Sequence, residues 1–451
     1  MRARLLGSSL SPARQVTVAL ERYFEFQRLN TTWKTEILAG ITTFVTMAYI
    51  VFVNPSILKD AGMPVPAVFA ATCLSAAFAT TLMGAFARYP IALAPGMGLN
   101  AYFTYTVVKG MGIPWETALG AVFLSGVAFL VLTIAGIRQW IIGAIPSALY
   151  AAVSAGIGLF IAFVGLRNAG IVKADPATIV TMGSLRDPNT ALAAFGILTI
   201  AALRAWKVRA AILLGILTTT LVGAFAGLVH WQPQPYQWSE LSGAMLHLDV
   251  RGAAGLGLLE IIFVFLFVDL FDNVGTLMAV TKRAGLLDTD MKIPRVNRIL
   301  FTDATATIAG SLLGTTTVVS YIESAAGVAA GGKSGITSVV TGLLFVATLF
   351  AAPLMGAIPS AATAPALVVV GGLMMSVVAE IDWEDACIAV PAFLTLVTIP
   401  LTFSIANGLA FGIISYVLIH LARGRGRQVP RAAYALAALL VIRFIYIRGH
   451  I

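Results

Sequence analysis

Three carboxylates occur within apolar stretches of this chain, where charged side chains are rare. Asp269 and Asp272 lie in the apolar run 261–277, and Glu323 lies in the segment 315–327. Placing a charge at the centre of a lipid bilayer costs at least ~2.5–3.5 kcal/mol, so such residues persist mostly where they face a cavity and act there. These three side chains are therefore the first candidates for a functional site.

Asp269 and Asp272 are three residues apart, which places both on one face of a helix. Two close carboxylates disfavour double ionisation and burial adds to this, so the pair suits a proton carrier whose charge changes during a transport cycle. The alternative is a structural pair that caps broken backbone. Asn273, one turn from Asp269, can bind a substrate or an unwound carbonyl, and the sequence does not decide between these roles.

Glu323 can accept two parallel N–H donors, such as those on the edge of a nucleobase. An ion pair is the weaker alternative, because no Lys or Arg lies within the predicted core of these spans. Asn100 carries donors and acceptors that match a purine edge, although it can also cap a half-helix. Gly98 and Ile322 lie beside these two residues in the sequence and are predicted to bind the substrate with them.

Asp303 either relays protons or ties its span to the core of the bundle. The four histidines fall in predicted loops, helix ends or the tail, so we expect proton coupling to run through carboxylates. These histidines are His230, His247, His420 and His450. They form no metal cluster, and we expect no cofactor and no metal, with H⁺ as the coupling ion. Cys73 and Cys387 are predicted to pack as small apolar side chains.

The elements that position these side chains are membrane spans. Of the 451 residues, 59% are hydrophobic and 11% are charged, and the mean hydropathy is +0.92. A soluble chain carries roughly 25% charged residues. The composition therefore predicts an all-α polytopic protein of the lipid bilayer. No signal peptide is apparent, and the segment 19–29 predicts an amphipathic helix at the membrane interface.

About 20 apolar residues cross the hydrocarbon core of a membrane, and stretches of this kind predict about fourteen spans. The tail 432–447 is apolar but carries Arg443, which predicts a peripheral helix. The predicted spans are 36–54, 66–86, 94–109, 115–137, 141–166, 190–204, 210–229, 255–280, 295–312, 317–332, 336–353, 361–380, 384–402 and 405–422.

The positive-inside rule tests this count. With the N-terminus in the cytoplasm, fourteen spans place 23 of the 29 Lys and Arg residues inside and six outside. This distribution predicts a multi-pass protein of the cell inner (plasma) membrane with both termini in the cytoplasm. The net charge of +9 is then a signal of topology, and no nucleic-acid partner is predicted.

The pentapeptide Gly-Ala-Ile-Pro-Ser occurs at 143–147 and again at 356–360, where predicted spans five and twelve begin. Spans that are seven apart have opposite orientations, so the match predicts a 7+7 inverted repeat, the usual build of secondary transporters. A chance match is the alternative. The predicted units are a cytoplasmic N-terminal segment with an amphipathic helix at 1–35, a first repeat at 36–229 (spans 1–7), an extracytoplasmic loop at 230–254, a second repeat at 255–422 (spans 8–14) and a basic cytoplasmic tail with a peripheral helix at 423–451.

The third and tenth spans, also seven apart, are predicted to be broken by short extended strands. Two prolines and two glycines at 90–98 interrupt a helix near Pro95. The β-branched run 315–319 favours a strand, and helix becomes possible near Glu323. Unwound backbone at membrane depth is tolerated only inside protein or along a cavity, and paired interruptions point to a transport site. Two kinked or re-entrant helices without a ligand are the alternative.

Four motifs resemble those of the AzgA-like purine permeases, the adenine, guanine and hypoxanthine branch of the nucleobase–cation symporters (nucleobase/ascorbate transporters). They lie at 42–55, 94–103, 268–277 and 320–327, and the likeness runs from about residue 21 to 423. The resemblance implies a core domain of spans 1–4 and 8–11 and a gate domain of spans 5–7 and 12–14. It also implies proton-coupled uptake, often by a homodimer, through an elevator-like movement of core against gate.

The resemblance also implies roles for single residues. Asp269 and Glu323 would bind the base with help from Asn100, Asp272 would tune the transport cycle, and Asp303 would lie beside the core. Related uracil carriers place a histidine on the eighth span near the first acid. This chain has an acid and an amide there, which favours the purine branch.

We therefore expect a secondary active transporter that imports hypoxanthine, guanine or adenine by proton symport with alternating access of the elevator type. A carrier of the same fold for xanthine, uracil or another small polar solute is the nearer alternative. A channel or a membrane enzyme is the more distant one. An enzyme would need a metal cluster or an activated nucleophile, and the sequence shows neither.

Overall fold

The computed structural model of this protein describes residues 12–136, 147–229, 238–255, 259–288 and 293–446. Most of these residues are helical. The α-helices are Pro12–Tyr23, Phe26–Leu29, Trp33–Met47, Ile50–Lys59, Val65–Leu82, Met97–Ala101, Trp115–Ile134, Ser147–Asn168, Pro188–Ala205, Ala211–Phe225, Trp238–Leu241, Val250–Ala253, Leu259–Ala284, Val296–Leu313, Ser324–Ala329, Gly335–Thr348, Ser360–Met374, Ala386–Thr402, Ile405–Ala422 and Arg431–Tyr446.

The remaining elements are π-helices, 3₁₀ helices and short strands. The π-helices are Met83–Ala87 and Tyr102–Gly110, and the 3₁₀ helices are Leu349–Ala357, Met375–Glu380 and Gly426–Gln428. The strands are β1 (Leu93–Pro95), β2 (Val172–Asp175), β3 (Ile179–Met182) and β4 (Val318–Ser320), which form the antiparallel pairs β1–β4 and β2–β3. The first copy of the repeated pentapeptide lies mostly outside the described residues, at 143–146.

Within the described ranges, nine helices are long and apolar enough to cross a membrane. The other predicted spans fall on the helices Ala211–Phe225, Val296–Leu313 and Ala386–Thr402 and on the two broken segments. The protein is therefore mostly helical and multi-pass. The apolar tail forms the helix Arg431–Tyr446, which packs on the helix Ile405–Ala422.

The two broken segments meet in a short antiparallel ladder at the centre of the bundle. Ala94 of β1 stands opposite Val319 of β4, and both strands are fully buried. The ladder is extended at its two ends by hydrogen bonds of 2.9 Å, from Tyr321 N–H to the Ala92 carbonyl and from Gly96 N–H to the Thr317 carbonyl. Each segment thus satisfies the backbone groups that its partner would otherwise leave unpaired at membrane depth.

The N-terminal helices are fastened to the bundle through one carboxylate. Glu25 contacts Arg295 at 2.8 Å and Arg88 at 3.2 Å, and it also pairs with Arg28. Partial burial raises the pKa of Glu25, but the charges of the three arginines outweigh this and hold the pKa below its ordinary value. Glu25, Arg88 and Arg295 all have left-handed backbone, which costs roughly 1–2 kcal/mol per residue. The ion-pair cluster helps to fix these three turns.

The C-terminal segment is fastened in a comparable way to the helix Ala386–Thr402. Asp385 caps this helix by accepting the Cys387 N–H at 3.0 Å, and it pairs with Arg423 at 2.7 Å and Arg425 at 2.9 Å. The Cys387 N–H and the two arginines lower the pKa of Asp385. This cap of the helix Ala386–Thr402 is thus also an anchor for the tail. Cys73 and Cys387 are buried free thiols, as predicted.

Two helices cross in close contact at a pair of glycines. A Cβ atom at Gly371 would lie 2.3 Å from the carbonyl oxygen of Gly158, and a Cβ atom at Gly158 would lie 2.7 Å from the carbonyl oxygen of Gly371. The helices are Ser147–Asn168 and Ser360–Met374. Only glycine lets the two backbones approach this closely.

We expect Gly371→Ala to lower the melting temperature of the purified protein, because the new methyl group meets backbone that cannot move aside. The matched control is Gly372→Ala, where a Cβ atom has no heavy atom within 4 Å. Alanine is the better helix former by roughly 1 kcal/mol, so the control should be neutral or slightly stabilised. Equal melting temperatures for the two variants would contradict the close crossing.

Candidate functional site

The amide of Asn273 joins two acids to the central ladder. Its Nδ2 donates to Asp269 Oδ1 at 2.6 Å and to Asp303 Oδ2 at 3.0 Å, and its Oδ1 accepts the Ser320 N–H at 2.8 Å. Asn273 and Asp303 are fully buried, and Asp269 is 2% exposed. Three predicted site residues, from the helices Leu259–Ala284 and Val296–Leu313, thus meet at the end of β4.

An amide is well suited to this position because it offers a donor group and an acceptor in one side chain. The two hydrogens of Asn273 face carboxylates, while its oxygen takes the N–H of a strand. Thr307 adds to the link, since its hydroxyl lies 3.4 Å from Asp269 Oδ2 and 3.3 Å from the Val318 carbonyl. The acids, the two helices and β4 are therefore fixed relative to one another.

Glu323 lies three residues after the end of β4, directly before the helix Ser324–Ala329. Its Oε1 accepts the hydroxyl of Tyr49 at 2.5 Å. Tyr49 is fully buried at the interruption between the first two helices of predicted span one. Ile322, beside Glu323, is 51% exposed although the adjacent strand is buried. Residues 322 and 323 therefore retain accessible surface directly after a buried strand.

Asn100 belongs to a separate polar cluster. It lies inside the helix Met97–Ala101, whose N-cap is Gly96, so the suggested capping role is wrong. Its Nδ2 donates to Asn54 Oδ1 at 2.6 Å, and its Oδ1 accepts the hydroxyl of Thr316. Asn100 is fully buried. Its amide ties the third span to the first span and to the segment before β4.

Gly98 faces the helix Ser147–Asn168. A Cβ atom at this position would lie 2.4 Å from Ile157 Cγ2, so the glycine permits close packing between the third and fifth predicted spans. Asp272 is on the same helix as Asp269, and its side chain lies outside the described part of the structure. The structure thus gives Gly98 a packing role in addition to its predicted place at the site.

Three buried polar residues are not singled out by sequence patterns, two near the site and one at the start of the first span. Tyr49 and Asn54 are fully buried in the first span, and Asn54 also donates to the hydroxyls of Thr72 at 2.8 Å and Thr315 at 2.9 Å. Glu36 is the third. The signal available in the sequence is only a polar residue in or beside an apolar run, and that signal gives no partner.

Glu36 is a fully buried carboxylate that binds neutral donors. It accepts the Ser334 N–H at 3.1 Å and the hydroxyls of Thr337 at 2.5 Å and Thr31 at 2.7 Å. These bonds tie the start of the first span to the start of the helix Gly335–Thr348. Hydrogen bonds to the charged form offset the cost of burying a carboxylate.

Two interrupted spans that pair at membrane depth, with buried acids at their junction, define a membrane transport protein. The chain belongs to the Permease family, whose sequence profile matches residues 34–411. It is 44% identical to the adenine permease AdeP of Escherichia coli (strain K12), over 96% of this chain and 97% of that protein. It is 43% identical to the guanine/hypoxanthine permease PbuG of Bacillus subtilis (strain 168), over 95% of this chain and 100% of that protein.

These similarities confirm the predicted resemblance to the adenine, guanine and hypoxanthine permeases. The protein is a transporter and not an enzyme. Among solved structures, the transmembrane domain of a cyanobacterium bicarbonate transporter, BicA, is similar with a TM-score of 0.61 and 15% identity. That match covers 85% of this chain and 98% of the BicA chain. At this identity the likeness concerns the fold alone.

We expect Asn273→Asp to destabilise the protein, because a third carboxylate would replace the shared donor between Asp269 and Asp303. Loss of the shared donor removes one buried hydrogen bond from each acid, at a cost of roughly 1–3 kcal/mol. Thermal unfolding of the purified protein measures the effect. Asn189→Asp is the matched control, since Asn189 is exposed in the first turn of the helix Pro188–Ala205, where an acid is favourable. Wild-type stability of the Asn273 variant would exclude the proposed role of the amide.

Proposed function

We propose that this protein imports purine nucleobases, namely hypoxanthine, guanine or adenine, together with protons. The observation that carries the proposal is the convergence of buried acids on the segment after β4. Asn273 holds Asp269 and Asp303 to the Ser320 N–H, and Glu323 follows three residues later beside the exposed Ile322. The names of AdeP and PbuG support a purine substrate.

Glu323 is the proposed anchor for the base. Tyr49 occupies Oε1 of its carboxylate, which leaves Oε2 to accept an N–H from the edge of a purine. Ile322 offers an apolar side chain for the face of the ring. Asp269 is the proposed second acceptor, and Asn100 supports the site by holding the third span against the segment that precedes β4.

The proposed proton carrier is the group of acids around Asn273. Asp269 and Asp303 both lie within 3.0 Å of the same Nδ2 atom, and two such close carboxylates disfavour double ionisation. A proton on one of them would relieve this repulsion and change the charge of the site during the cycle. Asp272, one turn along the same helix, is proposed to tune that cycle.

We also propose fourteen spans built as a 7+7 inverted repeat, with the unit boundaries given by the sequence. Gly158 and Gly371 each stand 15 residues after the first residue of a repeated pentapeptide, and these two glycines make a reciprocal contact. β1 and β4, one from each half, pair antiparallel. Reciprocal contacts between equivalent residues are what a two-fold axis between inverted repeats would produce.

Contacts between remote helix ends support the alternating order of the spans. Every pair named here joins two ends that fourteen spans place on the same side of the membrane. On the proposed outer side the pairs are Ser56 with Thr363, Glu116 with Asp249, and Leu246 with Leu312; on the proposed inner side they are Glu25 with Arg295, Glu36 with Lys333, and Asp385 with Arg423.

In the proposed mechanism, a core of spans 1–4 and 8–11 carries the base past a gate of spans 5–7 and 12–14, in an elevator movement. The fold shared with the BicA domain is consistent with such a transporter. The proposed location is the cell inner membrane, with cytoplasmic termini and a homodimeric assembly.

A carrier of the same fold for xanthine, uracil or another small polar solute is the second candidate, because a few hydrogen bonds decide among such substrates.

Asp269→Asn and Glu323→Gln should each reduce uptake of radiolabelled hypoxanthine, guanine and adenine to background in cells that lack their own purine transporters. Each substitution removes a charged acceptor and keeps the shape of the side chain. Glu240→Gln is the matched control, because Glu240 is exposed in the short helix Trp238–Leu241, and it should transport normally. Normal uptake by both site variants, at equal amounts in the membrane, would refute the assignment.

The same cells separate the two candidate functions. A panel of unlabelled bases should show competition by hypoxanthine, guanine and adenine and weaker competition by uracil and xanthine, and a protonophore should stop accumulation. Stronger competition by uracil or xanthine would favour the second candidate. Accumulation that survives the protonophore would contradict proton coupling.

Tyr49→Phe should raise the KM for the transported purine about tenfold, because Glu323 loses the donor that orients it. A hydrogen bond to a charged group contributes about 1.5–3 kcal/mol. Tyr434→Phe removes a hydroxyl that bonds the Gly426 carbonyl in the tail, and this control should leave KM unchanged. An unchanged KM in both variants would show that Tyr49 does not position the acid.

A further inference from the structure

Hydrogen bonds on the proposed outer side join the proposed core to the proposed gate. Asn168 Nδ2 donates to the Tyr105 hydroxyl at 3.1 Å, and Ser56 and Thr363 share a bond of 3.0 Å. A third runs from the Thr106 hydroxyl to the carbonyl of residue 403. These contacts close the outer edge of the boundary between the two units.

Tyr105 is the centre of the most elaborate of these contacts. Its hydroxyl donates to Asp60 Oδ2 at 2.8 Å while it accepts from Asn168, and the guanidinium carbon of Arg167 lies 5.1 Å from the centre of its ring. Asp60 and Tyr105 belong to the proposed core, at the ends of the first and third spans. Asn168 and Arg167 end the helix Ser147–Asn168 of the proposed gate.

The geometry assigns a direction to this chain of hydrogen bonds. Because Asp60 accepts the only hydrogen of the Tyr105 hydroxyl, the lone pairs of that oxygen are left to receive Asn168. Asp60 therefore prepares Tyr105 to bind the gate. Arg167 adds a cation over the ring face, which attracts it electrostatically.

Several contacts on the proposed inner side lie within one unit. Glu25 and Glu36 tie together elements of the proposed core, and Asp385 ties the tail to a helix of the proposed gate. Bonds within one unit stay intact when that unit moves against the other, so they do not resist the movement. The outer contacts do resist it.

We propose that Asp60, Tyr105, Asn168 and Arg167 form an outer latch that keeps the site closed to the outside in this conformation and opens once in each transport cycle. The proposal rests on the proposed core-and-gate mechanism. A latch built from one neutral hydrogen bond and one exposed cation–π contact is weak enough to open repeatedly. It biases the equilibrium between two conformations without fixing either.

The test measures access to the site from each side of the membrane. Ile322→Cys serves as the reporter, because residue 322 is 51% exposed beside Glu323 and the two native cysteines are buried. The full chain is placed in right-side-out and inside-out vesicles and treated with a membrane-impermeant thiol reagent. Vesicles with the native sequence give the background.

Tyr105→Phe and Asn168→Ala should each raise the rate of labelling from the outer side about three- to tenfold, the fold-change that loss of one hydrogen bond produces in a two-state equilibrium. Labelling from the inner side should fall. Thr117→Val is the matched control, because it removes an outer hydroxyl bond to Asp249 that does not reach the gate. The Asn168 variant, at a helix end, serves if the Tyr105 variant does not fold.

Unchanged sidedness in both latch variants, or an equal change in the control, would overturn the latch. Purine uptake in vesicles whose protein carries the same latch substitutions but retains Ile322 keeps this result apart from the proposed function. If labelling shifts as expected while purines are not transported, the latch stands and the substrate assignment fails. If purines are transported and labelling does not shift, the assignment stands and the latch fails.

Discussion

The structure depends on one constraint, which is that every backbone N–H and C=O at membrane depth needs a partner inside the protein. Two spans give up their helical hydrogen bonds at Pro95 and in the threonine run before β4. They recover those bonds by pairing β1 with β4. Because each segment supplies what the other lacks, neither break is tolerable alone. The ladder therefore holds the two halves of the chain together at the place where the polar side chains collect.

Two asparagine side chains hold this polar junction in position. Asn273 and Asn100 each combine donor and acceptor atoms, and each joins elements that are far apart in the sequence. Asn273 holds acids to the end of β4, and Asn100 holds the third span to the segment before β4. The acids are thereby placed in a rigid frame, while Glu323 retains accessible surface. A frame of this kind would keep the acids in place during the proposed change of charge.

The contacts outside the site are of two kinds. Some join elements within the proposed core or within the proposed gate, and others join the core to the gate. The buried carboxylate Glu36 and the ion pairs of Glu25 and Asp385 fasten elements on the proposed inner side. The bonds of Tyr105 lie on the proposed outer side and reach from one unit to the other. In the proposed mechanism, bonds of the second kind hold the outer side closed.

The sequence by itself determined the features that depend on local composition. Apolar runs indicate where helices lie, Pro95 indicates where one breaks, and an acid such as Asp269 in an apolar run signals a site by its cost. Only the tertiary structure decided which residues contact one another. It pairs Tyr49 with Glu323 and gives Gly98 a packing role. The reason is physical. Hydropathy and helix breaking act over a few residues, whereas the Tyr49 bond joins positions 274 residues apart, and such pairings are settled only when the whole bundle packs.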